Sequence, residues 1–195
     1  MPTSRLEAFT DGVLAIIITI MVLELKVPEQ TTWAAVHDEL PVLLSYVLSF
    51  IFVGIYWNNH HHMLHATDRV DGLVLWANLH LLFWLSLVPW AAGFMGEHHF
   101  DAVPVALYGA IQLAAAIAYF LLQTCIIRLQ GEQSLVRIAV GSDLKGKLSP
   151  VLCLLGIALT PLSAWAGLAA YVVLASAWLV PDRRIERVVA GRAEA

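Results

Sequence analysis

Five long apolar stretches occupy most of the chain and determine what it can fold into. A helix needs about 20 mostly apolar residues to cross a bilayer, because each residue adds about 1.5 Å along the helix axis. The apolar stretches lie at 5–25, 40–60, 72–95, 104–129 and 148–180. Charged residues are 13% of the chain, well below the ~25% usual in soluble domains. The sequence therefore predicts an all-α fold that spans a membrane.

The last apolar stretch is too long for one span. Pro161 lies inside it, and a proline removes a helix hydrogen bond and clashes with the preceding turn. We therefore expect two short spans there, over 148–162 and 164–180, joined by a tight turn. Together with the four earlier spans they predict a six-helix subunit in which residues 1–195 form one membrane domain, with a basic cytoplasmic tail over 181–195.

The positions of lysine and arginine predict the orientation, because these residues favour the cytoplasmic side of a membrane. Six spans place both termini on one side. The basic residues on that side are Arg5, Arg69, Arg128, Arg137, Lys145, Lys147, Arg183, Arg184, Arg187 and Arg192. Lys26 lies on the other side. We therefore expect a multi-pass protein with both termini in the cytoplasm.

The composition and the residue types disfavour two function classes. The formal net charge of −4 gives no argument for a nucleic-acid partner. No nucleophile is placed beside a base, and no complete set of metal ligands is evident, so we do not predict an enzyme.

The first apolar stretch has polar residues near its start and one threonine inside it. At 100° per residue, one stripe of a helix contains Phe9, Gly12, Ile16, Ile20 and Leu23, with Thr19 at its border. Asp11 lies off this stripe. Two interpretations of Asp11 stay open: it accepts a hydrogen bond from a histidine, asparagine or tryptophan of the next helices, or it is solvated at the headgroup level and caps its own helix.

Three motifs stand out in the first 95 residues. The opening "RLEAFTDGVLAI", with Arg5, Phe9, Thr10 and Asp11, is similar to the signature R-x-x-x-F-S-D of the transmembrane protein 175 family. "YWNNHH" at 56–61 and "LWANLHLLFWLSLVPW" at 75–90 resemble its tryptophan–histidine segment and the W-x-N-L helix that follows. Thr10 stands where the family usually has serine, so the hydroxyl is kept and a methyl group is added. The rest of the chain resembles the family by topology alone.

The resemblance implies a passive potassium-selective cation channel in a bacterial plasma membrane. It implies a homotetramer around a pore that the first helix of each subunit lines, with potassium as the permeant ion and no cofactor. The chain has no T-V-G-Y-G stretch for a filter of backbone carbonyls, and the family instead uses rings of apolar side chains. The matching positions for this constriction are Ile16, Ile20 and Leu23, with Thr19 offering a hydroxyl nearby.

The resemblance also implies a packing network that holds the first helix against the second and third. Its members are Arg5, Phe9, Thr10, Asp11, Trp57, His61, Trp76 and Asn78. Without the resemblance, the apolar stripe has a simpler interpretation as a lipid-facing or core-facing surface, since such stripes occur in any helical bundle.

The histidines at 60–65 leave a second function open. His61 and His65 are one helical turn apart, a spacing that suits zinc or copper. No cysteine or glutamate completes the set, so we predict interfacial histidines, one of them in the Asp11 network, and no metal site. The alternative function is a proton-coupled secondary transporter or metal-ion carrier that uses Asp11 and the cluster His60–His65. The sequence shows no inverted repeat to support that alternative.

Overall fold

The structure, a computed structural model, describes residues 3–131, 134–140 and 144–179. The predicted basic tail over 181–195 lies outside these residues. The helices are α1 Thr3–Leu23, α2 Trp33–Asp38, α3 Leu40–His65, α4 Gly72–Ser86, α5 Val88–Glu97, α6 Ala102–Gln130, α7 Leu135–Val140, α8 Leu144–Leu159 and α9 Ala164–Leu179. The all-α prediction is confirmed for the described part of the chain.

Four helical segments of the described chain are long and apolar enough to cross a membrane. They are Thr3–Leu23, Leu40–His65, Gly72–Glu97 and Ala102–Gln130. The shorter helices α8 and α9 have 16 residues each. At 1.5 Å per residue each is roughly 24 Å long, which is less than the ~30 Å thickness of a bilayer's hydrocarbon core. A turn that contains Pro161 joins them.

The third apolar segment is divided into two helices. The sequence predicts one span over 72–95, whereas in the structure α4 ends at Ser86 and α5 begins at Val88. Pro89 explains the division, because it has no N–H to donate to the preceding turn and its ring clashes with that turn. At the other end of α4, Asp71 caps the helix by accepting a hydrogen bond from Val74 N over 2.9 Å.

α6 lies at the centre of the subunit and α1 lies at its side. α6 packs against α4, α5, α8 and α9, whereas α1 packs against α3, α4 and α5. The face of α1 that enters the core contains Leu6, Thr10, Leu14, Ile17 and Met21. Their spacing of three and four residues is that of one helical face. The rest of the α1 surface is therefore left for contacts outside the core.

Small residues allow close helix contacts around one buried tyrosine. Tyr171 of α9 is fully buried and lies against Gly109 of α6 and Gly156 of α8. A Cβ atom at Gly109 would overlap the Tyr171 hydroxyl, and one at Gly156 would overlap its ring. Glycines of this kind let membrane helices approach closely and gain van der Waals contact. The packing of α8 and α9 onto α6 therefore depends on these two positions.

Candidate functional site

The first helix leaves an apolar stripe uncovered. We call Phe9, Ile16, Ile20 and Leu23 the open stripe. Their side chains are 52%, 58%, 43% and 78% exposed, while the opposite face of α1 is buried. An apolar surface of this kind is stable against lipid or against another protein surface, because neither contains bulk water. Lipid or a second protein surface can therefore cover the open stripe of this chain.

Thr19 lies at the border of the open stripe and presents an oxygen atom. Its hydroxyl donates to the carbonyl oxygens of Ala15 and Ile16, each over 3.0 Å. A threonine hydroxyl has one proton and two acceptor lone pairs. Since its own helix accepts the proton, the oxygen remains available to a water molecule or a cation.

A buried chain of hydrogen bonds joins α1 to α4 and α3. Asn78 Nδ2 donates to Thr10 Oγ1 over 2.9 Å, and Asn78 Oδ1 lies 2.7 Å from His60 Nε2. Thr10 and Asn78 are 0% exposed and His60 is 1% exposed. Because a carbonyl oxygen only accepts, His60 Nε2 is the protonated ring nitrogen. Water does not reach these groups, so each depends on the others for its hydrogen bond.

Two further contacts join the start of α1 to the end of α3. Trp57 Nε1 donates to Asp11 Oδ1 over 3.0 Å, and His61 Nδ1 lies 2.8 Å from Glu7 Oε1. Glu7 and Asp11 are one turn apart on α1, and Trp57 and His61 are one turn apart on α3. The residue order is reversed between the two helices, as antiparallel packing requires. Glu7 and Asp11 thus each meet a partner on one face of α3.

The structure brings together only some residues of the predicted packing network. Thr10 accepts a hydrogen bond from Asn78, and Asp11 accepts one from Trp57, which is the first of the two interpretations given for Asp11. His61 contacts Glu7 instead of Asp11.

The remaining network residues lie elsewhere. Arg5 is exposed, Phe9 belongs to the open stripe, and Trp76 is 73% exposed. Trp76 is two positions before Asn78, and two helical positions differ by about 200°. When Asn78 faces the core, Trp76 therefore points away from it.

The packing network predicted from the sequence did not include His60 or Glu7, and His60 was named only as a member of the histidine cluster. The sequence did contain a signal for Glu7. Glu7 and Asp11 are four residues apart, as are Trp57 and His61, so the two pairs can face each other across two antiparallel helices. For His60 there was no such signal, because three adjacent histidines point in three directions. The rings of His61 and His65 are stacked with their centroids 6.1 Å apart. Within the described ranges, no group of three histidine, cysteine, aspartate or glutamate side chains lies close enough to hold a metal ion.

A large groove lies beside the open stripe. It has a volume of about 500 Å³ and is bounded by Ile16, Ile20 and Glu24 on one side and by Trp90 and Phe94 of α5 on the other. The groove therefore shares Ile16 and Ile20 with the open stripe.

Glu97, which also lines this groove, forms an ion pair with Lys26. Lys26 Nζ lies 2.6 Å from Glu97 Oε1. The hydrogen bond and the negative charge of Glu97 raise the pKa of Lys26 above its ordinary value. Lys26 is therefore held more firmly in its charged form.

These features define an integral membrane protein with several apolar helices and an uncovered first helix. The sequence profile of the family described as "Endosomal/lysosomal potassium channel TMEM175" matches residues 5–89. These residues include nearly all of α1 and the whole of α2, α3 and α4, and hence all three polar contacts of α1 described above. A curated relative from Chryseobacterium sp., named a potassium channel, is 52% identical over 187 residues, which are 96% of this chain and 97% of the relative. The chain belongs to the TMEM175 family.

Two other comparisons extend this result. The crystal structure of a homolog of the lysosomal potassium-selective channel TMEM175 from Chamaesiphon minutus superposes with a TM-score of 0.81 at 28% identity, covering 92% of this chain and 97% of that one. A relative from Danio rerio, named an endosomal/lysosomal proton channel, is 34% identical over 92 residues. The match covers 40% of this chain but 18% of the zebrafish protein. The similarity to the bacterial proteins thus covers nearly all of this chain, and the similarity to the animal protein covers less than half of it.

Proposed function

We propose that this chain forms a passive potassium-selective channel. The observation that carries the proposal is the division of α1 into two faces, with its polar residues bonded to α3 and α4 and its open stripe uncovered. A helix held in this way presents the open stripe outward from its own subunit. The near full-length similarity to a bacterial protein named a potassium channel supports the same function.

The proposed assembly is a homotetramer whose four first helices line one pore. The groove beside Ile16 and Ile20 is open in the single subunit, and an adjacent subunit's first helix would cover it. In that arrangement Ile16, Ile20 and Leu23 form successive apolar rings. The bonds of Thr10 and Asp11 set the rotation of α1, so these residues position the pore helix and do not contact the ion.

The proposed selectivity follows from hydration. A narrow apolar ring tends to lose water, and a pore of this kind closes without a charged gate. When the ring is wide enough, an ion passes if it gives up part of its hydration shell. Potassium holds its water less tightly than sodium, and the Thr19 oxygens replace some of the lost contacts. We therefore expect a preference for potassium that is real but modest.

In the proposed topology each subunit has six spans in a bacterial plasma membrane. α8 and α9 are the last two and are short, and both termini are cytoplasmic. The excess of lysine and arginine on that side supports this orientation. The start of α1, with Glu7 and Asp11, then lies near the cytoplasmic surface.

Ion flux from liposomes tests the channel against a carrier. The purified protein is reconstituted and given an outward potassium gradient, then a matched sodium gradient, each with and without a proton gradient. A channel should release potassium faster than sodium when no proton gradient is present. Flux that requires protons or a divalent metal would contradict the channel, and it would favour the carrier that uses Asp11 and the histidines.

The variant Asp11→Asn separates the two functions further. In a proton-coupled carrier, loss of this carboxylate abolishes transport by correctly assembled protein. In the proposed channel, Asp11 accepts a hydrogen bond from Trp57 and does not contact the ion. The asparagine oxygen can still accept this bond, but more weakly than the carboxylate because it carries no charge. We therefore expect a lower yield of assembled Asp11→Asn protein, measured by size-exclusion chromatography, and unchanged passive flux for each assembled complex.

A further inference from the structure

A second cavity lies away from the first helix, between α3, α6, α8 and α9. Its volume is about 70 Å³. A water molecule needs ~10–15 Å³ by this measure, so the cavity has room for several waters or one small organic molecule. The α6 residues that line it are Gln112, Ala116, Tyr119, Phe120 and Gln123. Gln112 and Gln123 are eleven positions apart, or roughly 16 Å along the axis, so the cavity follows one face of α6.

Gln123 is a polar residue of this cavity whose amide has no hydrogen bond. The residue is 6% exposed, and neither its amide nor the Tyr56 hydroxyl, which also lines the cavity, makes a hydrogen bond within the part of the chain that the structure describes. The other polar groups are at least partly paired. Gln112 Nε2 donates to Tyr108 over 3.0 Å, and Trp178 Nε1 donates to Ser149 over 2.8 Å. Buried amides are nearly always hydrogen-bonded, because leaving one unpaired costs free energy.

The remaining wall of the cavity is apolar and aromatic. Phe52 and Ile55 of α3, Phe120 of α6 and Leu174 of α9 contribute to it. Small-molecule sites have this composition, with apolar side chains around a few polar groups that fix the orientation of the ligand. An amide can both donate and accept, and a hydroxyl is a small uncharged group that matches both roles.

We propose that this cavity binds a small neutral amphiphile, an alcohol or a phenol. Its hydroxyl pairs with the Gln123 amide, and its apolar part packs against Phe52, Phe120 and Leu174. The limited volume selects a molecule of a few carbon atoms over a membrane lipid. The site uses none of the residues of the open stripe, so it does not depend on the proposed channel function.

Tryptophan fluorescence tests this proposal on the full-length protein in nanodiscs. The probe is 2,2,2-tribromoethanol, which has one hydroxyl and bromine atoms that quench a nearby indole. Trp178 lines the cavity and is one of seven tryptophans. We expect binding to quench the fluorescence of Trp178 in a saturable way, so that the saturable loss is no larger than the emission of one tryptophan. This saturable component should be absent in Trp178→Phe. In Gln123→Leu the half-saturating concentration should rise about three- to tenfold, as expected for one lost hydrogen bond.

Two controls make the result specific. Gln30→Leu changes an exposed glutamine that lies outside the cavity, so it should bind like the wild type. Ala116→Phe fills the cavity and should abolish the saturable component. If Gln123→Leu does not fold, Gln123→Met gives the same test with a flexible side chain. Quenching that rises linearly with concentration and is equal in all variants would show partition into the bilayer alone, and it would overturn the proposal.

Discussion

The buried chain Thr10–Asn78–His60 offers the sharpest test of how the first helix is held. In the variant Asn78→Leu the side chain keeps a similar size but loses both its donor and its acceptor. The Thr10 oxygen and the His60 Nε2 proton then have no partner, and neither group is exposed to water. Asn78 is the only one of the three that bonds both others, so its loss should weaken the attachment of α1 and α3 to α4.

The expected destabilisation follows from the number of groups left unpaired. A buried polar group that loses its partner costs about 1–3 kcal/mol in soluble proteins. Side-chain hydrogen bonds inside membrane proteins average about 0.6 kcal/mol and reach about 1.7. With roughly 1 kcal/mol for each of the two orphaned groups, we expect Asn78→Leu to lower the free energy of unfolding by about 2 kcal/mol.

Equilibrium unfolding by SDS in mixed micelles measures this change. The control is Asn58→Leu, the same substitution at an exposed position of α3, which should change the free energy of unfolding little. A double-mutant cycle with Thr10→Val isolates one of the two bonds and should give a coupling of about 1 kcal/mol. Equal stability of Asn78→Leu and Asn58→Leu, or a coupling near zero, would refute this account of the network.

Two other predictions concern packing and charge. Gly109→Ala should lower the free energy of unfolding by about 1–3 kcal/mol, because the added Cβ would overlap Tyr171. Gly54→Ala is the control, since a Cβ there meets open space and should not destabilise the protein. Thermal unfolding of the two variants measures the difference. The Lys26–Glu97 pair should stabilise the protein slightly at neutral pH. Because the pKa of Lys26 is raised from 10.5, this contribution should be complete below that pH and be lost as the pH rises through the folded-state pKa. The difference in melting temperature between wild type and Lys26→Gln should therefore disappear at high pH and in high salt; a constant difference would contradict the prediction.

The sequence was sufficient for the class of fold, because crossing a membrane requires long apolar helices. It was also sufficient for the family, through motifs that fall in α1, α3 and α4. The division of the third segment at Leu87 was not predicted, although Pro89 signals it in the same way that Pro161 signals the later turn. The third stretch has the length of one span, so nothing in its hydropathy required it to be divided.

The candidate site was only partly predictable for a geometric reason. The pairing of Asp11 with a donor on the next long helix was among the expected interpretations. Which histidine faces which helix depends on the rotation of α3, and neighbouring residues differ by 100°. His60 therefore points to Asn78 while His61 points to Glu7. For the open stripe, lipid and a second subunit both favour apolar residues, so composition does not distinguish them.

The reversal potential of currents in a planar bilayer tests the central claim most directly. With potassium on one side and sodium on the other, the wild-type protein should give a current that reverses at a voltage showing preference for potassium. Ile16→Asn should increase the conductance and move the reversal potential towards zero, because a polar side chain keeps the constriction wet. The control is Ile117→Asn, the same change at a 46% exposed position of α6, which should behave like the wild type. No current, a reversal near zero in the wild type, or an Ile16→Asn variant with wild-type currents would contradict a pore lined by the first helix.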